Sequence, residues 1–168
     1  RVPLVRREDP GLQRAALTRS FPIPCDAGIA PLVRSAPVSD IEAMGNTSVV
    51  GATGLVGRRI LEELADRRRS AKAWIRRHTE LPAGIEPFPS QVIPSSLDPF
   101  WRCDTLFVAL GTTIAKAKSR EAFEAVDRGL VVECARRARA AGCGTIALVS
   151  AAGADPRSRV FYSRVKGL

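Results

Sequence analysis

The pattern of hydrophobic and polar positions along this chain changes at Met44. Before that residue, 1–43 contains six prolines and one aromatic residue and keeps neither a two-residue nor a 3.6-residue period. Such a segment can bury little apolar surface, so we expect 1–43 to be disordered or an artefactual extension, with the true start at Met44. The alternative is a regulatory tail that packs on the domain.

From Met44 onward, strand-like and helix-like stretches alternate. Apolar runs predict strands at 47–50, 71–75, 105–110 and 145–150, and the proline-rich stretch 81–99 leaves room only for a short strand at 91–93. A helical period predicts helices over 55–67 and 119–141. Their apolar stripes are expected to contain Leu55, Ile60, Leu61 and Leu64 in the first helix, and Phe123, Val126, Leu130, Val131, Cys134 and Ala138 in the second.

This repeated strand–helix–strand order predicts an α/β fold. Parallel strands need crossover helices, and these helices cover both faces of the sheet. A chain of 168 residues is long enough for one such domain. We therefore expect residues 44–168 to form a single three-layer domain.

The composition excludes several classes of protein. It is 45% hydrophobic and 26% charged, which is typical of globular domains, and no apolar run is long enough to cross a membrane. The net charge of +9 raises the question of nucleic acid, but the arginines are spread along the chain and few aromatic residues accompany them. We expect neither nucleic acid nor a membrane as the main partner.

The cysteines do not have the spacing of a metal site. Cys25, Cys103, Cys134 and Cys143 are scattered, and His78 is the only histidine. Structural zinc sites need four converging ligands, which local pairs usually supply, so no metal is expected. The pattern favours reduced, inert thiols in a cytoplasmic protein.

The strongest local motif is V-V-G-A-T-G-L-V-G, in which Gly51, Gly54 and Gly57 join a strand to a helix. In dinucleotide-binding Rossmann folds, such glycines permit a tight turn, close approach of the backbone to pyrophosphate and close packing of helix on strand. The residues expected to bind the cofactor here are Gly51, Thr53, Gly54, Leu55, Val56 and Gly57. The alternative is a turn with no ligand.

Two arginines follow the second predicted strand, in Trp74-Ile75-Arg76-Arg77. NAD-preferring domains place an acidic residue at this point, whereas arginine accommodates the 2′-phosphate of NADP. We therefore expect NADP(H) to be preferred over NAD(H), with Arg76 or Arg77 holding the phosphate. The alternative is a solvated basic loop.

Further candidates lie at the ends of the later strands. Leu110 ends the strand 105–110, and Gly111 and Thr112 follow it. We expect these three residues to bind the cofactor too, because α/β folds bind ligands at this edge of the sheet. The alternative is a loop that only turns the chain. Tyr162 and Lys166 are four residues apart, on one face of a helix. As a bare pattern, Y-x-x-x-K is common and usually only part of an exposed surface, but its position one loop after the fifth predicted strand favours a functional role.

These two side chains suggest proton-transfer chemistry. A nearby ammonium favours a tyrosinate, which suits Tyr162 to general acid–base catalysis. Ser150, at the end of the fifth strand, could hold a substrate carbonyl or hydroxyl by a hydrogen bond.

Taken together, these motifs resemble the short-chain dehydrogenase/reductase superfamily, and within it the atypical branch of Tat-interacting-protein-like oxidoreductases. The strings that carry the resemblance are G-A-T-G-L-V-G, F-V-A-L-G-T-T, L-V-S-A-A-G-A-D and Y-S-R-V-K-G. The resemblance implies a Rossmann-type doubly wound sheet, catalytic Ser150, Tyr162 and Lys166, and contact of Lys166 with the nicotinamide ribose. Asp127 stands at or near a position where many members have an asparagine that relays protons.

The resemblance also implies that family members continue beyond Leu168, so we expect a fragment that lacks the C-terminal part of the fold and turns over weakly or not at all. Three functional hypotheses follow: an NADP(H)-dependent oxidoreductase acting on a carbonyl or alcohol, a non-catalytic NADPH-sensing module, and a remnant without a ligand. The substrate is a small molecule whose identity the sequence does not give. The resemblance also implies that the helix at 123–130 could pair two chains. The alternative is that its apolar stripe packs against the sheet.

Overall fold

The computed structural model of the protein describes residues 45–168, and the expectations for 1–43 lie outside the described residues. Five strands form one parallel sheet in the order β3-β2-β1-β4-β5. Their bounds are Thr47–Val50 (β1), Ala71–Ile75 (β2), Ile85–Pro89 (β3), Thr105–Val108 (β4) and Thr145–Leu148 (β5). The doubly wound parallel sheet predicted from the sequence is confirmed.

Helices cover both faces of this sheet. Their bounds are Leu55–Asp66 (α1), Ile114–Ala117 (α2), Arg120–Glu124 (α3), Val131–Ala140 (α4) and Phe161–Gly167 (α5), with a 3₁₀ turn at Pro99–Trp101 and a π-helical segment at Ala125–Leu130. Among the described residues, no helix has the length and apolar character to cross a membrane.

The core is divided between the two faces of the sheet. On one face, α1 packs Leu61 and Leu64 against the strands. On the other face, α4 and the aromatic pair Phe100 and Trp101 pack against β1, β2 and β4. The predicted three layers are therefore present, and β1 lies at the centre between its two neighbours.

The third strand was predicted at the wrong place. β3 is Ile85–Pro89, whereas Val92 in the predicted segment 91–93 is exposed and lies outside any strand. β3 contains Pro87 and Pro89, which an interior strand would not accommodate, but it lies at the edge of the sheet. The fourth and fifth strands also end two residues earlier than predicted.

The predicted helix over 119–141 is interrupted. The structure has α3, then the π-helical segment at Ala125–Leu130, then α4. Ser119 caps the start of α3 by accepting a hydrogen bond from the amide of Ala122 at 3.1 Å. At the other end, Gly142 with φ +93° follows α4, as the sequence predicted. A π turn shifts the helical phase, so the buried side chain in this segment is Asp127, while Val126 and Leu130 are only partly buried.

Candidate functional site

The glycine turn joins β1 to α1 at the carboxyl edge of the sheet. Gly51 has φ +80°, and a Cβ there would overlap the carbonyl group of Ala109 in the loop after β4. Gly57 packs in the first turn of α1 so closely that a Cβ would overlap the carbonyl of Gly51. The turn is closed by the amide of Gly54 donating to the carbonyl of Gly51 at 3.0 Å. The turn and packing roles that the sequence predicted for Gly51 and Gly57 therefore agree with the geometry.

The start of α1 suits an anion. Residues 53–56 are exposed, no side chain caps the helix, and its first turn contains no acidic residue. The first amides of a helix have no carbonyl partner within it, and the helix dipole places positive charge there. Leu55 is 86% exposed, so its expected place in the apolar stripe of α1 is wrong. The reason is the helical phase: the buried face of α1 contains Gly57, Leu61 and Leu64, and at about 100° per residue Leu55 lies on the opposite side of the helix.

The arginine pair lies where the sequence placed it, directly after β2. Arg76 and Arg77 are exposed and line a depression of about 330 Å³ together with His78, Ser90 and Gln91. The side-chain amide of Gln91 donates from Nε2 to the backbone carbonyl of Arg76 at 2.5 Å, which ties the segment after β3 to the segment after β2. Two guanidinium groups are therefore available at the carboxyl edge of the sheet, one strand away from the glycine turn.

A buried ion pair lies at the end of β4. Lys166 on α5 places its Nζ 2.6 Å from Oδ1 of Asp127, and the two side chains are 9% and 0% exposed. Oδ2 of Asp127 accepts a hydrogen bond from the amide of Thr112 at 2.9 Å. Both charged groups come within 3.5 Å of the position that a Cβ would occupy on Gly111. The π-helical segment, α5 and the loop after β4 therefore meet at this point.

The three predicted catalytic residues lie near this ion pair, in the region where the π-helical segment, α5 and the loop after β4 meet, which we call the corner. They do not form a connected triad there. The hydroxyl of Ser150 donates to the backbone carbonyl of Lys166 at 3.0 Å. Tyr162 is 40% exposed, and its ring packs 5.8 Å from the ring of Phe123. Within residues 45–168, the Tyr162 hydroxyl makes no hydrogen bond to protein. The contact that organises this corner is instead the one to Asp127, which the sequence marked only as a departure from the family pattern.

No metal centre is formed in the described part of the chain: no three histidine, cysteine, aspartate or glutamate residues gather there. The glycine turn follows β1 and the Gly111 loop follows β4, and these neighbouring strands are where the winding of the sheet reverses. Crevices at such reversals are the usual ligand sites of open α/β sheets. The candidate site is therefore the carboxyl edge between β1 and β4.

The chain is similar in sequence to proteins named as mitochondrial. It is 35% identical over 133 residues to Protein FMP52, mitochondrial, of Saccharomyces cerevisiae, which covers 73% of this chain and 56% of that protein. It is 36% identical over 139 residues to Protein fmp52, mitochondrial, of Aspergillus niger, covering 74% and 58%. The chain thus spans little more than half the length of these relatives, and no protein-family model matches it.

These names correct one expectation and leave another open. The expected cytoplasmic location is contradicted, because several of the similar proteins are named mitochondrial. The reason for the error is that free cysteines indicate reduced thiols but do not identify a compartment. The finer assignment to the Tat-interacting-protein-like branch stays a prediction.

Solved structures show the same fold at low sequence identity. MoeE5 in complex with UDP-glucose and NAD superposes with a TM-score of 0.60 at 20% identity, covering 73% of this chain and 46% of that one. UDP-N-acetylglucosamine 4-epimerase from Bacillus cereus gives a TM-score of 0.55 at 14% identity, covering 72% and 50%. The described part of the chain therefore has a Rossmann-type fold.

Proposed function

We propose that residues 45–168 bind a nicotinamide dinucleotide and form the cofactor-binding half of an oxidoreductase that moves hydride between NADP(H) and a carbonyl or alcohol substrate. One observation carries the proposal. The glycine turn, with the uncapped start of α1, and the Asp127–Lys166 pair both lie at the carboxyl edge of the sheet, where its winding reverses between β1 and β4. Structural neighbours that contain NAD and relatives named mitochondrial are consistent with such a protein, located in mitochondria.

The residues present fit the cofactor. The first-turn amides of α1 would bind the pyrophosphate, since no carboxylate in that turn repels it. Arg76 and Arg77 would bind the 2′-phosphate of NADP, because a guanidinium matches phosphate with two parallel hydrogen bonds. The bound nicotinamide would supply or accept the hydride.

The polar residues of the corner would then handle the proton. Tyr162 is exposed, and its hydroxyl would exchange a proton with the substrate oxygen. Lys166 is four residues further on the same helix and is held by Asp127, so its ammonium is fixed next to the Gly111 loop. Ser150 fastens the chain after β5 to α5 through the carbonyl of Lys166. Ser150 would hold the substrate only after releasing this bond.

A second candidate function is a non-catalytic NADPH sensor. It is favoured by the same contacts, because Lys166 is neutralised by Asp127 and the Ser150 hydroxyl is engaged by a backbone carbonyl. The two candidates differ in turnover. Oxidation of NADPH with a panel of aldehydes and ketones, abolished in the Tyr162→Phe variant, would support the enzyme. Saturable NADPH binding without oxidation by the wild-type chain would support the sensor.

Removing the two arginines is expected to weaken NADPH binding selectively. Charged hydrogen bonds of this kind contribute about 1.5–3 kcal/mol, so the Arg76→Ala/Arg77→Ala variant should bind NADPH roughly 10- to 150-fold more weakly. NADH, which has no 2′-phosphate, should bind with nearly unchanged affinity. Titration calorimetry of both nucleotides measures this difference directly.

A variant of equal charge serves as the control. Arg102 and Arg136 are both exposed and lie away from the carboxyl edge, so Arg102→Ala/Arg136→Ala removes the same charge and should leave both affinities unchanged. If both double variants weakened NADPH binding equally, the cause would be the loss of overall positive charge and not a contact of Arg76 and Arg77 with the 2′-phosphate. Absence of binding to either nucleotide by the wild-type chain would overturn the proposed function and leave the remnant without a ligand.

Two chains could still pair through the helical segment at 123–130, as the sequence suggested. Phe123 is not available for such pairing, because it is fully buried against the rings of Phe161 and Tyr162. A dimer of this kind would therefore use the exposed side of the segment.

A further inference from the structure

Two thiols that are far apart in sequence lie side by side at the amino edge of the sheet. The Sγ atoms of Cys103 and Cys143 are 3.7 Å apart, although 40 residues separate them in the chain. Both side chains are buried and both thiols are free. The edge on which they lie is opposite the candidate cofactor site, so their chemistry is independent of the proposed function.

The register of the sheet explains their proximity. Thr105 in β4 pairs with Thr145 in β5, and each cysteine comes two residues before its threonine. The ladder continues toward the cysteines, since the amide of Thr145 donates to the carbonyl of Asp104 at 2.9 Å. Neighbouring strands lie about 4.8 Å apart, and disulfides need Cα atoms about 4.4–6.8 Å apart. The spacing of the two strands therefore suits a disulfide.

The backbone on both sides is fixed. Gly142, with φ +93°, ends α4, and the amide of Cys143 donates to the carbonyl of Ala138 at 2.9 Å in a Schellman motif. The amide of Cys103 donates to the carbonyl of Trp101 at 3.0 Å. Each cysteine is thus held by the end of a preceding helical turn, and the pair is preorganised.

The surroundings make one thiol of the pair acidic. A hydrogen bond from Cys103 lowers the pKa of Cys143 to about 7. Burial opposes this shift, whereas backbone hydrogen bonds and the charge of Arg139 support it. The pKa of Cys103 is raised by its hydrogen bond to Cys143 and by burial, and Asp104 adds to this. Burial is the main cause that raises the pKa of Cys134, on α4, to about 12. Cys134 is therefore a built-in control for a buried, inert thiol.

We propose that Cys103 and Cys143 are a redox-active pair that a hydroperoxide oxidises to an intramolecular disulfide. The Cys143 thiolate attacks the peroxide, forming an S–O bond as the O–O bond breaks, and the leaving oxygen takes up a proton to depart as water or an alcohol. The sulfur of Cys103 then attacks the sulfur of Cys143, and a second water leaves as the S–S bond forms. Two thiols are oxidised and one peroxide is reduced.

Cys103 and Cys143 are 7% and 1% exposed, and their chain neighbours Arg102, Asp104 and Gly144 are exposed. Hydrogen peroxide, the smallest hydroperoxide, is therefore the oxidant used to test this pair. The disulfide would tie the start of β4 to the start of β5. The stretch of chain between the two cysteines, which the disulfide would close into a covalent ring, includes Gly111 and Asp127 of the candidate site.

The test is oxidation of the full chain with hydrogen peroxide, followed by tryptic digestion without reduction. Trypsin separates the three described cysteines into peptides 103–116, 129–136 and 140–157. We expect a cross-linked species of 103–116 with 140–157, lighter by two hydrogens than the sum of the peptides and cleaved by dithiothreitol. Its rate of formation should rise between pH 6 and pH 8, because the thiolate of Cys143 is the attacking form. The oxidised chain should melt at a temperature higher by roughly 5 °C or more.

Matched variants complete the test. Cys103→Ser and Cys143→Ser should each prevent the cross-link, whereas Cys134→Ser and Cys25→Ser should form it at the wild-type rate. The wild-type digest is decisive even if a buried serine impairs folding. Cross-links to peptide 129–136 or to Cys25, or oxygen addition at peptide 140–157 without a cross-link, would overturn the proposal.

Discussion

Replacement of Asp127 with alanine is expected to lower the free energy of unfolding by about 3–5 kcal/mol, because it leaves the Lys166 ammonium buried without a partner. The pair is 2.6 Å apart, with side-chain exposures of 0% and 9%, so solvent screens it little. The variant also removes the acceptor for the amide of Thr112. Urea denaturation of the wild-type chain and the variant measures the loss.

Two controls separate the buried charge from a general effect on the helix. Glu124 and Arg128 form an exposed pair at 2.9 Å around the same segment, so Glu124→Ala should cost less than about 1 kcal/mol. The double variant Asp127→Leu/Lys166→Met removes both charges and should recover much of the loss, since well-packed apolar replacements of a buried pair are often neutral. If Asp127→Ala proved no worse than Glu124→Ala, the ion pair would not be the element that holds this corner together.

Replacement of Gly57 with alanine is expected to destabilise the chain by about 3 kcal/mol, at the upper end of the usual cost of overpacking. The added Cβ would overlap the Gly51 carbonyl and come within 2.8 Å of its carbon, and both belong to backbone that cannot turn away. The start of α1 would have to move off β1, which would also displace the first-turn amides. Alanine favours helix by up to about 1 kcal/mol over glycine, so the observed loss opposes intrinsic propensity.

Gly54 provides the matched comparison for this variant. A Cβ at Gly54 would lie 3.3 Å from the Gly51 oxygen, and its φ of −76° suits any residue. Gly54→Ala should therefore change stability by less than about 1 kcal/mol. Thermal unfolding of the two variants side by side measures the difference. Equal stability would mean that α1 can shift away from the turn without cost.

The parts of the fold that the sequence predicted are those determined by local signals. β1, α1 and β2 follow from an apolar run, a glycine turn and a helical period, and their predicted ends agree with the structure to within one residue. β3 was misplaced because prolines were taken to exclude a strand. That rule depends on whether a strand is at the edge, which only the order of the sheet decides.

The candidate site depends on features that local periodicity does not reveal. Asp127 is buried because the π-helical segment shifts the phase of the helix, and a constant 3.6-residue period places the apolar Val126 and Leu130 inward instead. The proximity of Cys103 and Cys143 follows from the alignment of β4 with β5. The sequence does show that each cysteine precedes a strand by two residues. It does not show that these two strands are neighbours in the sheet, and without that the proximity of the thiols cannot be predicted.

The prolines of β3 have a consequence for how this sheet can associate. The amide of Ser90 points to β2, where it donates to Ile75, while the amide of Ile85 points the other way and is satisfied by Pro82. By alternation, the backbone nitrogens of Pro87 and Pro89 also face outward, and they have no hydrogen to donate. The outer edge of β3 therefore offers another strand carbonyl acceptors but no free amide donor. The sheet is therefore protected against edge-to-edge aggregation on the β3 side, and added strands are directed to β5.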